Sequence, residues 1–356
     1  MTRYSFASGP APLPADVIGA VAADVRQLAS GPCSILELPF THPAFSRILE
    51  GAAGTIRELL SLPDTHHVLF LQGGATSQFS LVPQNLIGSA AQADYIETGL
   101  WSHRAIEQAS PWCKINIVAR GNGQTLPRPD TWARTSDAAY CHFTANETAN
   151  GLQFHRWPDD NSAPLVADMT ADLFTRPFPI DRFGLVYASA QKNLGATGLT
   201  LVLIRQDLLE RSNGALPAPL SYARQARAGS KVNTPPTLAI AIANHMLKWI
   251  SSHGGLVEME EKAKQRSAMI YSAIDESMFY TCEITADDRS MLNICFRTPT
   301  SRLDKLFLNS AADEGLFDLC GHVDIGGMRA SLYNGAPRDA AEALVQFMKY
   351  FEAKWG

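Results

Sequence analysis

A lysine that directly follows a buried apolar run is the most informative residue in this sequence. Lys192 stands in GLVYASAQKNLG, with Ala188, Ser189 and Ala190 before it and Gly195 after it. Taking an ammonium group out of water is costly unless it has a task or a partner. One such task is a Schiff base to an aldehyde cofactor. Other residues offer what that chemistry needs. Asp168 closes an earlier apolar run, PLVAD. Gly73-Gly74-Ala75-Thr76 lies between an apolar run and a helical pattern, where backbone N–H groups can cradle a phosphate. Trp101, in TGLWSHR, offers a flat ring for stacking. Thr148, in NETANG, offers a hydroxyl. Taken singly, each has an ordinary explanation: a helix-capping Asp, a tight Gly-Gly turn, a core Trp, a polar loop residue, a surface Lys.

Taken together they match the needs of pyridoxal phosphate. That cofactor requires an imine-forming lysine and a carboxylate that keeps its ring nitrogen protonated, so that the ring draws electrons. It also requires a stacking side chain and donors for its phosphate. A dinucleotide reading is weak, because QGGATS lacks GxGxxG spacing. No group of Cys and His has zinc spacing, so no metal is expected.

The elements that must position these residues alternate between helix and strand. Helical patterns occupy 15–29 and 45–60, then 100–109, 236–252 and 257–276. Short apolar runs fit buried strands at 67–71, 93–97, 114–119, 139–143, 164–168, 185–188 and 199–204. Continuous runs, rather than strict alternation, indicate a sheet covered on both faces. Thr76 and Ser77 are candidate helix N-caps. After Gly254-Gly255 the tail reads strand 293–297, helix 301–313, strand 328–332 and helix 339–354. The expected division is a large unit over 15–254 and a smaller α/β unit made of 1–14 with 255–356.

Of the 356 residues, 46% are hydrophobic and 18% charged, so the chain has material for a core and wholesale disorder is excluded. The net charge is −5 with no Lys/Arg block, which points away from nucleic acid and from anionic membranes. No stretch suits a membrane span, and the N-terminus lacks the apolar core of a signal peptide. The six cysteines are scattered without CxxC pairs, which suits a reducing cytoplasm. Cys141 and Cys295 read as small buried hydrophobes.

Several motifs, in order, resemble the phosphoserine aminotransferases, class-V members of the fold-type I pyridoxal-phosphate enzymes. They are FASGPAPLP, QGGATSQF, GLW, NET, VADMTADLFTRPFPIDRFGLVYASAQKNLG, NTPPT and GGMRASLYN. The resemblance spans nearly the whole chain. It implies a large domain with a mostly parallel seven-stranded sheet flanked by helices, plus a smaller C-terminal α/β domain. It implies that Lys192 forms the Schiff base, Asp168 partners the ring nitrogen and Trp101 stacks on the ring, with Thr148 hydrogen-bonding the cofactor. Ala75, Thr76 and Gln191 would bind its phosphate, joined by Asn233 and Thr234 from a neighbouring subunit, which makes a homodimer. Arg329 would fork onto the substrate α-carboxylate, with Ser8 and His322 also at the substrate. The implied reaction is ping-pong amino transfer between a phosphoserine-like amino acid and a 2-oxo acid such as 2-oxoglutarate.

Two positions depart from that pattern. The family's substrate-phosphate arginines fall at Thr41, or at Pro43 if the alignment is shifted, in ELPFTHPAF, and at Val323, in GHVD. A charge-assisted hydrogen bond contributes roughly 1.5–3 kcal/mol, so losing two would weaken binding on the order of 100-fold or more. Two readings therefore stand at this point. Neighbours such as His42, Arg47 and the Ser8 hydroxyl compensate, or the same chemistry acts on a non-phosphorylated amino acid. Other class-V chemistry, such as desulfuration, lacks a cysteine in a Gly/Ser-rich loop. A non-catalytic binding protein would not need both Lys192 and Asp168.

Overall fold

The computed structural model describes residues 2–159, 163–211 and 213–356. Seven strands form the main sheet: β1 His66–Gln72, β2 Gln92–Glu97, β3 Lys114–Arg120, β4 Cys141–Thr144, β5 Leu165–Asp168, β6 Phe183–Ser189 and β7 Leu199–Arg205. Their spatial order is β1-β7-β6-β5-β4-β2-β3. All neighbours pair in parallel except β7, which runs antiparallel to both β1 and β6. The most central strands are the ones whose sequences are apolar throughout. Every residue of FGLVYAS in β6 is buried, as is every residue of LVAD in β5. Such runs cannot show a solvent face, so helices must cover both sides.

The helices are α1 Ala15–Arg26, α2 Pro43–Leu60, α3 Ala75–Leu86, α4 Leu100–Ala109, α5 Thr237–Ser252 and α6 Gly255–Asp275. On α2 the residues Phe45, Ile48, Leu49, Ala52, Ile56 and Leu60 are buried, the spacing of one helical face. His42 caps this helix: its Nδ1 accepts from the Ala44 N–H at 3.1 Å, ahead of Pro43 at the first position. Gly254 and Gly255, both left-handed at φ 93° and 66°, turn the chain sharply between α5 and α6.

A second layer follows. Strands β8 Asn293–Phe296 and β9 Met328–Ser331 pair antiparallel, beside α7 Ser301–Asp313 and α8 Arg338–Trp355. Its apolar cluster gathers Ile270, Ile294, Phe307, Leu344 and Phe347, and it takes in Phe6 from the N-terminus. The first strand, Tyr4–Ser5, pairs in parallel with Leu316–Phe317. Periodicity could not reveal this two-residue pairing, because two residues carry no period.

The expected α/β architecture with a mostly parallel seven-stranded sheet is the one observed. Two local expectations are corrected. Thr76 and Ser77 do not cap α3. Gly74 is the cap and has no side chain to offer, so both residues lie in the first turn. Cys141 is fully buried, but Cys295 is only partly so, at the two-stranded sheet, where its thiol approaches the Ala149 carbonyl at 3.6 Å.

A buried ion pair locks the loop after β5. Arg176 Nη2 meets Asp172 Oδ2 at 2.7 Å, with side chains 6% and 2% exposed. Gln153 donates to Asp172 at 2.8 Å, and the Arg176 guanidinium stacks over Trp157. Removing one partner would strand the other charge. Asp172→Ala is expected to lower unfolding free energy by roughly 3–5 kcal/mol, read as a shift of the urea midpoint.

Candidate active site

The carboxyl ends of the parallel strands open onto a cavity of about 340 Å³. Ten residues singled out from the sequence line it: Ser8, Ala75, Thr76, Trp101, Thr148, Asp168, Gln191, Lys192, His322 and Arg329. They come from eight separate segments of chain, and the fold alone brings them together. A larger cavity of about 590 Å³ lies between the N-terminal segment, α6 and the start of α8, and it includes none of these ten.

Lys192 sits in a tight turn between β6 and β7. The Leu194 and Gly195 N–H groups both donate to the Ala190 carbonyl, at 3.0 and 2.8 Å. Gly195 has φ +130°, and a Cβ there would come within 2.4 Å of Ile242, so only glycine fits. Asn193 anchors the turn from the other side. Its amide donates to the Ala171 carbonyl and the Thr175 hydroxyl, and its Oδ1 accepts from the Asn334 N–H at 3.1 Å. The N-terminal segment is tied in as well, through the Ala11 N–H on the Gln191 carbonyl at 2.9 Å.

At the centre stands the Thr148 hydroxyl. Its Oγ1 accepts from Trp101 Nε1 at 2.9 Å and from Lys192 Nζ at 3.3 Å. Lys192 Nζ is 5.7 Å from the Trp101 ring centre. Asp168 ends β5 and is 5% exposed, with Oδ1 accepting from the Thr170 N–H at 2.9 Å. Burial pushes the Asp168 carboxyl up from its ordinary value, while the Thr170 bonds and the Lys192 charge pull it back. Burial pulls Lys192 down to about 8, against the opposing pull of Asp168, with Arg329 lowering it further. Lysine with a pKa near 8 supplies a usable fraction of neutral amine at neutral pH.

Arg329 lies on β9, and its guanidinium donates to the Thr148 carbonyl at 3.0 Å. No acidic side chain pairs with it among the described residues, so it remains available to a carboxylate. Gln191 accepts from the Ser189 hydroxyl. The N-terminus of α3 adds the backbone N–H groups of Ala75 and Thr76.

Asn233 and Thr234 are not brought to this cavity. They lie exposed beside Gln72, whose side-chain amide donates to the Thr234 carbonyl and accepts from Asn233 at 3.4 Å. Thr41 is exposed and lies outside the cavity, and Val323 is 90% exposed. The suggested compensators His42 and Arg47 are committed elsewhere, to the α2 cap and to the Ser30 carbonyl. The Ser8 hydroxyl alone lines the cavity.

One residue of the site escaped sequence reasoning. Glu147, fully buried, accepts from the backbone N–H groups of Trp101 and Ser102, both at 2.9 Å, and from the Thr98 hydroxyl at 3.3 Å. Burial raises its pKa, and these donors counteract that rise. A carboxylate at the N-terminus of α4 thus fixes the backbone of Trp101, while the neighbouring Thr148 fixes its ring. The signal was present in NET, but an acid beside Thr148 gives no hint in sequence of the donors it meets.

The residues fit pyridoxal phosphate. Thr144 Oγ1 lines the cavity wall, buried and without a partner, and Asp168 and the α3 N-terminus face the same space. Comparison with known proteins agrees. The family described as Aminotransferase class-V matches residues 3–344. The chain belongs to the class-V aminotransferases. It is 41% identical over 355 residues to the phosphoserine aminotransferase of Hahella chejuensis, covering 99% of this chain and 98% of that one. The solved phosphoserine aminotransferase of Bacillus circulans subsp. alkalophilus superposes with a TM-score of 0.98 at 38% identity, covering 100% of this chain and 99% of that one. A phosphoserine aminotransferase from Trichomonas vaginalis, solved with pyridoxal phosphate bound, has a TM-score of 0.93 at 35% identity, covering 98% of this chain and 100% of that one. Pyridoxal phosphate is therefore the cofactor of this aminotransferase.

Glu147→Ala would leave two buried backbone N–H groups unpaired. Each such loss costs roughly 1–3 kcal/mol, so a destabilisation of about 2–6 kcal/mol is expected in urea unfolding. Glu147→Gln is expected to fall between this variant and the wild type.

Proposed function

We propose that this aminotransferase moves the amino group of phosphoserine to a 2-oxo acid such as 2-oxoglutarate. Full-length relatives at about 40% identity that bear the name phosphoserine aminotransferase favour this over the non-phosphorylated alternative. The observation that carries the assignment of roles is the shared Thr148 hydroxyl, which joins Trp101 to Lys192 in a cavity walled by Asp168 and Arg329.

When bound, pyridoxal phosphate supplies an aldehyde that captures amines and a protonated ring that withdraws electrons. Lys192 holds the cofactor covalently through Nζ. With that Nζ free and neutral, Lys192 would act as the base for the proton on the substrate α-carbon. Asp168 keeps the proton on the ring nitrogen. Trp101 stacks on the ring, and Thr148 bonds the cofactor's polar edge. Ala75, Thr76 and Gln191 hold the phosphate with the α3 N-terminus, as such termini do for anions. Arg329 meets the substrate α-carboxylate with two parallel donors and fixes which face of the α-carbon Lys192 reaches. Ser8 and His322 border the substrate. The N-terminal segment, tethered by the bond from Ala11 to Gln191, borders the site through Ser8 and Gly9.

Asn233 and Thr234 serve the cofactor phosphate of a second copy, which makes the enzyme a homodimer. Their exposure on the Gln72 side chain, away from their own cavity, supports this reading. The cofactor unit comprises 15–254, and the smaller unit joins 1–14 to 255–356. The six unpaired cysteines suit a cytoplasmic setting.

Lys192→Ala is expected to cut transamination of phosphoserine by more than roughly 100-fold while leaving the circular-dichroism spectrum unchanged. A variant transaminating at the normal rate would remove Lys192 from its role. In the wild-type apoprotein, the rate of pyridoxal phosphate uptake should rise with pH and level off above about 8, as the amine loses its proton. Asp168→Asn removes a charge that favours the ammonium form, so the midpoint moves to lower pH. Stopped-flow absorbance checks both.

A further inference from the structure

We infer that Arg104 reads the anionic side-chain group of the substrate, an inference that rests on the phosphoserine reading. A phosphate monoester carries about −1.5 to −2 charge at neutral pH and has strong acceptor oxygens. The two cations lining the cavity already have tasks: Lys192 at the cofactor and Arg329 at the α-carboxylate. Neither Thr41 nor Val323 is basic, and the latter is apolar and 90% exposed.

Arg104 follows Trp101 by one turn of α4, so both side chains leave the helix on the same side. Its guanidinium carbon stands 5.2 Å from the Trp101 ring centre. His322 meets the same ring edge-on at 6.2 Å. Trp101 thus lies among Lys192, His322 and Arg104; Lys192 and His322 line the cavity with it, and Arg104 stands beside the indole outside that lining. His322 Nδ1 accepts from the Asp324 N–H at 3.2 Å, which leaves Nε2 as the donor of the neutral ring. A planar guanidinium and an imidazole N–H around one indole suit a tetrahedral dianion.

Arg104 is not locked in an ion pair. Its Nη2 is 4.0 Å from Asp324 Oδ2, and the two side chains are 44% and 54% exposed. Such a pair is weak, and a dianion displaces it. Asp324 acts as a counterweight. It repels the substrate's phosphate and competes with it for Arg104.

The test measures kcat/KM for phosphoserine and for serine, with 2-oxoglutarate, in the wild-type holoenzyme and in Arg104→Ala, Arg104→Lys and Asp324→Asn. It also measures the inhibition constant of inorganic phosphate in each. The phosphoserine-to-serine ratio should fall roughly 10- to 100-fold in Arg104→Ala, the loss of one charge-assisted hydrogen bond. It should recover in part in Arg104→Lys and rise in Asp324→Asn. Inhibition by phosphate should weaken in Arg104→Ala. A wild type that prefers phosphoserine, with an unchanged ratio in Arg104→Ala, overturns the role of Arg104 and leaves the substrate reading standing. A wild type without that preference overturns the substrate reading. In that case, weaker phosphate inhibition in Arg104→Ala still supports an anion site at Arg104, and unchanged inhibition removes it.

Discussion

A lysine amine held away from water but outside any ion pair is the constraint around which this structure is organised. Lys192 feels the charge of Asp168, yet its hydrogen bond goes to the neutral Thr148 hydroxyl. A salt bridge at that point would pin the proton on the amine and remove it from chemistry. Full isolation would make burial too costly. The observed compromise leaves enough charge nearby to keep the lysine folded inward, and too little to keep it fully protonated at neutral pH. Asn193, Gly195 and Asn334 hold the turn in place, so the position of the amine is set by packing and backbone bonds rather than by its charge.

The sheet topology explains why distant residues meet. Parallel strands put their carboxyl ends on one edge, and the groups there arrive from loops of different length. Asp168 comes from the end of β5 and Lys192 from the turn after β6. Trp101 heads α4, and the end of β4 leads to Glu147 and Thr148. The chain termini complete the cavity: Ser8 comes from the N-terminal segment, and Arg329 comes from β9 of the second layer. Phe6 packs into the apolar cluster of that layer, so the N-terminal segment and the residues around β9 are stabilised together. The side of the cavity formed by Ser8 and Arg329 is therefore coupled to the folding of the smaller cluster, and the side formed by Asp168 and Lys192 to the large sheet.

The fold was largely legible because its central strands are apolar without interruption and its helices have clear faces. The expected helices at 100–109 and 301–313 match α4 and α7 to the residue. Short pairings escaped, since Tyr4–Ser5 and Leu316–Phe317 are held by long-range hydrogen bonds and carry no pattern of their own. The cap of α3 was misread because Thr76 and Ser77 are good capping types, whereas the chain places Gly74 there and turns its first N–H groups toward the cavity. In the site, residues next to an element boundary could be picked by type. Glu147 and Arg104 could not, since their meaning comes from what lies across from them: two backbone N–H groups in one case, an indole face in the other.

Those two residues also bear on each other. Glu147 fixes the first turn of α4, and Arg104 leaves the next turn of the same helix. Arg104 is carried on a helix whose start is clamped by a buried carboxylate, and it shares that helix with the Trp101 indole. The orientation of the indole and the position of the guanidinium then vary together. If Trp101 stacks on the cofactor and Arg104 meets an anionic side chain, a shift of α4 that spoiled the one would also withdraw the other, and the two properties would be coupled through a single helix.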